Sequence, residues 1–154
     1  MKPRHEILLN QLNDYRGYLL YLVNDITEEQ AALIPNGFRN NIHWNLGHIY
    51  LDQFLWIHTL TKEQKPEIQS LNKWFGFGTT PENFTEETPS FNEITELLQS
   101  QIATIHKTYG EHLETEYPPV EMGMFTIEQV LSRTIFHEGM HIQAILDIKK
   151  FIND

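Results

Sequence analysis

The chain has 154 residues, enough for one domain with a substantial core, and 40% of them are hydrophobic. Intrinsic disorder is therefore excluded, and we expect a single globular domain spanning residues 1–154. Acidic residues outnumber basic ones by 21 to 11, and the formal net charge of −10 argues against binding to nucleic acid or to an anionic membrane surface.

The chain has no cysteine, which excludes disulfides and thiolate metal ligands. Any thiol chemistry must then use a thiol supplied by a substrate. No apolar run approaches the roughly 18 residues of a membrane-spanning helix, and the N-terminal stretch lacks the apolar centre of a secretory signal. A cytoplasmic location is the resulting expectation.

Four long segments have the spacing of amphipathic helices, and a short helix lies between Thr27 and Pro35. No segment shows convincing strand alternation, so the pattern predicts an all-α, four-helix bundle. In the first segment the apolar pattern comprises Ile7, Leu8, Leu12, Tyr15, Leu19, Leu22 and Val23. The four segments run from about Pro3 to Asn24, from Asn41 to about Thr61, from Ser90 to about His112 and from Thr126 to about Ile152.

The connection from Lys62 to Pro89 is too long for a tight turn. Such a crossover lets the second and third long helices run in the same direction, which predicts an up-down-down-up order. Its aromatic residues, Trp74, Phe75 and Phe77, either cover one end of the bundle or serve packing alone.

The fourth helix carries the sequence HEGMH, in which His137 and His141 both face inward. Histidines four residues apart on a helix can bind one metal ion together. The alternative is a pair of buried histidines satisfied by hydrogen bonds, at a cost of about 1–3 kcal/mol for each group left without a partner. The metal interpretation is favoured, because both rings share one inward face and Glu138 lies between them.

The HEGMH motif is also typical of zinc peptidases, but the residues that follow it are not. A metzincin-like site requires a helix-breaking glycine where this chain has Ala144, with Asp147 as the third ligand. Alanine continues the helix and turns Asp147 toward water. No glutamate follows His141, so a third ligand must come from upstream.

The second long helix offers His43, His48 and His58. Asn45, His48, Asp52 and Thr59 form a polar stripe between apolar shoulders, which is either a solvent face or the wall of an internal pocket. The remaining histidines are expected to be surface or capping residues: His5, His43, His58, His106 and His112.

The segments NIHWNLGHI and FHEGMHI, with the crossover between them, resemble the DinB superfamily of DinB/YfiT-like bundles. The resemblance implies an up-down-down-up four-helix bundle, a divalent metal, often zinc or nickel, and dimer formation. It assigns the ligands to His48, His137 and His141. Related members transfer bacillithiol, mycothiol or similar thiols, and many others have no known activity. Gln143 departs from the glycine that is frequent there, which bears on dimer contacts.

Three neutral imidazoles leave a metal dipositive with open positions, so that it can lower the pKa of a bound water to about 7 or hold a thiol as its thiolate. Glu138 is the candidate catalytic residue, with an ion pair to Arg133 as the alternative. Asp52 either orients a ligand or is solvated, and solvation is favoured. The leading hypothesis is a metal-dependent S-transferase with a small-molecule substrate and a thiol cosubstrate. A non-catalytic metal-binding or stress-associated module, or a metal-dependent hydrolase, is the alternative.

Overall fold

The computed structural model describes residues 1–152, and every regular element in that range is a helix. The all-α class predicted from the sequence is therefore confirmed for these residues, while residues 153 and 154 of the predicted domain lie outside the described range. The long helices are α1 (Pro3–Val23), α3 (Ile42–Thr61), α6 (Phe91–Tyr109) and α7 (Ile127–Ile152), and the short ones are α2 (Glu28–Ala32), α4 (Pro66–Gln69) and α5 (Asn72–Phe75). Short 3-10 turns occupy Pro81–Asn83, Gly110–His112 and Glu121–Gly123.

The predicted helix starts are confirmed by their caps. Thr27 and Ser90 each cap a helix in a reciprocal capping box, and the Asn41 side chain accepts a hydrogen bond from the backbone of Trp44 at the start of α3. Thr126 exchanges the corresponding hydrogen bonds with Gln129 before α7. These caps satisfy backbone N–H groups that have no partner within the helix.

The core lies between the long helices. α3 packs against α6 and α7, and α1 packs against the same two helices. Burial of their apolar faces is the main driving force for this arrangement. The fully buried core includes Leu12, Leu19, Leu46, Ile49, Leu51, Ile57, Ile94, Leu98, Ile127 and Ile145.

The inward face of α1 differs from the predicted apolar pattern. Ile7 and Tyr15, which that pattern includes, are exposed to 59% and 41%, whereas Arg16 is buried. The actual stripe also contains Leu12 and Leu19, so the arginine interrupts an apolar face. A buried guanidinium is costly unless it is paired, and its partners are described below.

The crossover between α3 and α6 is partly helical and packs against α3. Trp74 and Phe75 are buried, as expected for packing, whereas Phe77 is almost fully exposed at 98%. Gly47 on α3 lies against the Phe75 ring, where any Cβ would overlap the aromatic carbons. This close approach fixes the crossover, including the Phe75 carbonyl, against the first half of α3.

Within residues 1–152, no helix is both long and apolar enough to cross a membrane.

Candidate metal centre

The three histidines named from the sequence lie together where α3 packs on α7. His48 comes from α3, and His137 and His141 lie one turn apart on α7. The Nε2 atom of His137 is 3.1 Å from Nε2 of His48 and 3.2 Å from Nε2 of His141. One nitrogen from each ring can therefore reach a common point, and the three form a group with ligand atoms within 4.8 Å of one another.

The opposite ring nitrogen of His48 and of His137 faces an oxygen that can only accept. Nδ1 of His48 lies 2.6 Å from the Phe75 carbonyl oxygen, and Nδ1 of His137 lies 3.1 Å from Oδ2 of Asp52. Because a carbonyl oxygen only accepts, Nδ1 of His48 is the donor and its Nε2 lone pair faces the common point. At His137 the nearby carboxylate favours the same tautomer. Trp44 stacks on His48 with an interplanar angle of 9°, which holds the ring plane.

His141 is oriented by a side-chain amide. Its Nδ1 lies 2.7 Å from Oδ1 of Asn45, while Nδ2 of Asn45 donates to the Asn41 carbonyl at 2.8 Å. That second bond settles which end of the amide faces the histidine, so Nδ1 of His141 also donates. Carboxylate, carbonyl and amide partners of this kind are what orient histidines that bind metals.

Burial makes the three imidazoles neutral. It is the main cause that lowers the pKa of His137 and of His141 to about 3, followed in both by the neighbouring His48. Burial likewise lowers the pKa of His48. Three Nε2 lone pairs at such short separations repel one another unless a cation lies between them, and the low pKa values disfavour a proton in that role. The donor set therefore fits a divalent metal.

Asp52 is not solvated, contrary to the interpretation favoured from the sequence. Its side chain is 15% exposed, and Oδ2 accepts a hydrogen bond from Nη1 of Arg133 at 2.6 Å besides facing Nδ1 of His137. The guanidinium of Arg133 lies over the Trp56 ring, 4.3 Å from its centroid. Asp52 is held because the first part of the polar stripe, Asn45, His48 and Asp52, faces α7, whereas Thr59 at its end is exposed.

Glu138 has a different environment from the three histidines. Its carboxylate pairs with the guanidinium of Arg16 on α1, at 2.8 Å from Nε and 3.2 Å from Nη2. The suggested partner Arg133 is wrong, because that guanidinium is bound to Asp52. Both Glu138 and Arg16 are buried, and Arg16 also donates to Gln53, Gln101 and the Leu98 carbonyl.

This buried network joins all four long helices and was not predicted. The sequence signal that points to it is Arg16 itself, which occupies an inward position of α1 between Leu12 and Leu19. Gln53 of α3 and Gln101 of α6 likewise interrupt inward apolar faces. The network pairs the buried charges of Arg16 and Glu138, and neither residue lines the solvent-accessible cleft beside the histidines.

The remaining histidines lie outside the three-histidine group. His106 and His112 are exposed, and His5 accepts a backbone hydrogen bond at the start of α1, which agrees with a capping role. His43 lies 2.8 Å from the Pro89 carbonyl. The expected surface position is wrong for His58, which is 7% exposed and packs beside Phe54 in the α3 core.

The three histidines line one wall of a cleft of about 490 Å³ that opens to solvent. The volume is in the range typical of small-molecule sites. Ring nitrogens that face an accessible space match a catalytic metal site better than a closed structural one. Other lining residues include Arg39, Trp44, Asp52, Phe77, Arg133 and Met140.

The residues after His141 do not form the turn that brings a third ligand to the metal in a metzincin-like peptidase. α7 continues without a break through Ala144 to Ile152. Asp147, the third ligand of a metzincin-like site, accepts hydrogen bonds from Lys150 at 2.8 Å and Gln143 at 3.2 Å on the helix surface. The prediction that the helix continues past Ala144 and turns Asp147 away from the histidines is confirmed.

The fold and this site define a helical protein with a candidate metal centre between two long helices. The sequence profile of the DinB superfamily matches residues 11–145, which is most of the chain. The chain therefore belongs to the DinB superfamily, as its two histidine segments indicate. No match to the chain was found among curated proteins.

Proposed function

We propose that the chain binds one divalent metal ion, zinc or nickel, through Nε2 of His48, His137 and His141. The observation that carries the proposal is the pairing of every Nδ1 with an oxygen, so that three neutral Nε2 lone pairs face one point. In this arrangement Asp52, Asn45 and the Phe75 carbonyl orient the ligands. The specific metal stays a prediction, because imidazole suits several divalent ions.

The reaction we propose is the transfer of a low-molecular-weight thiol, such as bacillithiol, to an electrophilic small molecule. A metal held by three neutral imidazoles supplies Lewis acidity that lowers the pKa of a bound thiol. The chain has no cysteine, so the sulfur must come from the cosubstrate. In the balanced reaction a bond forms between that sulfur and the electrophilic carbon, the leaving group departs with its bonding electrons, and the thiol proton passes to solvent.

The residues of the cleft divide between positioning and contact with substrate. Trp44, Phe77 and Met140 provide apolar surface for an electrophile, and Asp52 with Arg133 keeps His137 in place. Glu138 was the catalytic candidate in the sequence, but both its oxygens pair with Arg16. We therefore propose that it stabilises the helix carrying the histidines. Hydrolysis is the second candidate reaction, because the same cleft admits water.

The finer architecture belongs to the same proposal. Contacts join the first residues of α3 and α6 through His43 and Pro89, and their last turns through Tyr109 and Glu63. The starts and ends of α1 and α7 are joined by His5 with Glu128 and by Lys149 with Asp25. These contacts support the up-down-down-up order in one domain. Homodimer formation and a cytoplasmic location stay predictions from the sequence.

The test combines metal analysis with turnover. Protein loaded with zinc or nickel is mixed with bacillithiol and 1-chloro-2,4-dinitrobenzene, and the thioether product is measured before and after chelation. His48→Ala is expected to lose bound metal as severely as His141→Ala, and both are expected to lose turnover. His106→Ala, which changes an exposed histidine of α6, is the matched control. Full metal content in His48→Ala would remove that residue from the site, and bound metal without turnover would favour the non-catalytic alternative.

A further inference from the structure

The charge of the cleft is opposite in sign to the charge of the chain. Apart from the histidines, its charged lining residues are Arg39, Asp52 and Arg133, a formal charge of +1, whereas the chain carries −10. Asp52 and Arg133 are bound to each other. No salt bridge or side-chain hydrogen bond joins Arg39 to any residue within 1–152, so this guanidinium is the uncommitted charge of the described cleft.

The backbone of Arg39 is held on both sides. Pro35 and Phe38 close a turn with a hydrogen bond of 3.0 Å, and Gly37 supplies the positive φ of 89° that this turn requires. The Phe38 ring packs against Phe151 near the end of α7, with centroids 5.6 Å apart. Asn41, two residues after Arg39, caps α3. The position of the arginine is therefore set, while its side chain remains exposed in the cleft.

The surroundings of Arg39 combine polar and apolar surface. Asn40 also lines the cleft, and its side-chain amide has no hydrogen bond to residues 1–152, with Oδ1 buried. Phe77 and Met140 line the same cleft and are exposed to 98% and 55%. Exposed apolar side chains beside an unpaired cation match a ligand that carries both an anionic and an apolar part.

We infer that the cleft selects small molecules bearing an oxyanion, a carboxylate or a phosphate, which Arg39 binds while the apolar part lies against Phe77 and Met140. The planar guanidinium fork fits either anion with two parallel hydrogen bonds. This inference rests on the proposed function, because the reacting group of the same ligand must then reach the three histidines.

The first experiment uses cobalt-substituted protein, in which a bound thiolate gives an absorption band. The probes are 3-mercaptopropionate and its methyl ester, which differ in charge but share the thiol. The wild type is expected to bind the acid about three- to tenfold more tightly than the ester. Arg39→Gln is expected to abolish this preference, and Arg39→Lys to retain part of it. Lys107→Gln makes the same change in net charge at an exposed position of α6 and should leave the preference intact.

An unchanged preference in Arg39→Gln, or equal weakening of both probes, overturns the inference. A second experiment separates it from the thiol chemistry: calorimetry with propionate, propionamide and methyl phosphate on zinc-loaded wild type and Arg39→Gln. Arg39-dependent binding of an anion without any thiolate band supports the inference and contradicts the proposed thiol transfer. A thiolate band whose titration with 3-mercaptopropionate does not depend on Arg39 contradicts the inference alone. The tighter of the two anions identifies carboxylate or phosphate as the recognised group.

Discussion

Asp52 and His137 face each other across the interface of α3 and α7, with Oδ2 of the carboxylate 3.1 Å from Nδ1 of the imidazole. The same oxygen binds Arg133, four residues before His137 on α7. One carboxylate therefore orients the ring whose Nε2 lies 3.1 Å and 3.2 Å from the Nε2 atoms of the other two histidines.

Asp52→Asn is expected to weaken metal affinity by about 10- to 100-fold while leaving the helical content unchanged, because a residue that orients a ligand has effects of this size. The measurement is competitive titration with a metal chelator, alongside circular dichroism. Asp147→Asn is the control, since the Asp147 carboxylate lies on the helix surface and, within residues 1–152, is bound only to Gln143 and Lys150. Equal affinity in both variants would show that Asp52 has no influence on the metal.

Glu138→Gln is expected to lower the free energy of unfolding of the metal-free protein by about 3–5 kcal/mol, because it leaves the buried Arg16 charge without its counterion. Urea denaturation measures the change. Glu128→Gln is the control on the same helix, since it breaks a more exposed pair with Arg4 and should cost at most about 1 kcal/mol. If Glu138→Gln keeps full stability but loses turnover, the carboxylate acts in catalysis rather than in support.

Gly47→Ala is expected to lower stability by about 1–3 kcal/mol, because the added methyl overlaps the Phe75 ring and forces the crossover away from α3. Metal affinity should fall as well, since the Phe75 carbonyl orients His48. Gly139→Ala is the matched control in α7, because a Cβ added there has no neighbouring atom within 4 Å. Since alanine has a higher helix propensity than glycine, this variant should be slightly more stable than the wild type. Thermal unfolding and metal titration check both variants, and loss of stability without loss of affinity would contradict the link to His48.

Acid is expected to destabilise the metal-free protein from about pH 6.5 downward. In the folded state burial holds the pKa of His137 and His141 at about 3, below the value of about 6.5 expected after unfolding. Between these values the unfolded chain binds more protons, so stability is fully present above pH 6.5 and is lost as the pH falls toward 3. The loss reaches at most about 1.4 kcal/mol per pH unit for each histidine.

Urea unfolding between pH 7 and pH 5 measures this dependence. The double variant His137→Asn/His141→Asn should have a clearly shallower slope, because asparagine does not titrate. His106→Asn, at an exposed site, should keep the wild-type slope. Identical slopes in all three proteins would mean that the α7 histidines are protonated in the folded state as readily as in the unfolded one.

The sequence predicts the helices well because caps and apolar periodicity are local signals, as Ser90 and Asn41 illustrate. The pair His137 and His141 is visible for the same reason, since both lie on one face of one helix. Periodicity alone does not decide which of the three histidines of α3 is a metal ligand. Only the resemblance to a family selects His48. Asn45 and Asp52 lie about one turn on either side of His48, so the polar stripe contains the partners of His141 and His137.

Other parts of the site leave no local signal. The partner of His48 is the backbone carbonyl of residue 75, 27 positions along the chain, and any amino acid carries such a carbonyl. The pair of Arg16 and Glu138 spans 122 positions, so only the packing of α1 beside α7 reveals it. Charge alone suggested the nearer Arg133 for Glu138, and the structure assigns that arginine to Asp52.

The carbonyl of Phe75 makes the hold on His48 depend on the crossover as a folded unit. A substitution at position 75 changes the side chain but keeps the backbone carbonyl oxygen. A transient opening of α5, in contrast, breaks the hydrogen bond between that oxygen and the imidazole of His48. For the proposed metal ion, we therefore expect the rate of release to depend on how often this short segment of the crossover opens. The rate of amide hydrogen exchange in residues 72–76 is therefore expected to change in parallel with the rate of metal release.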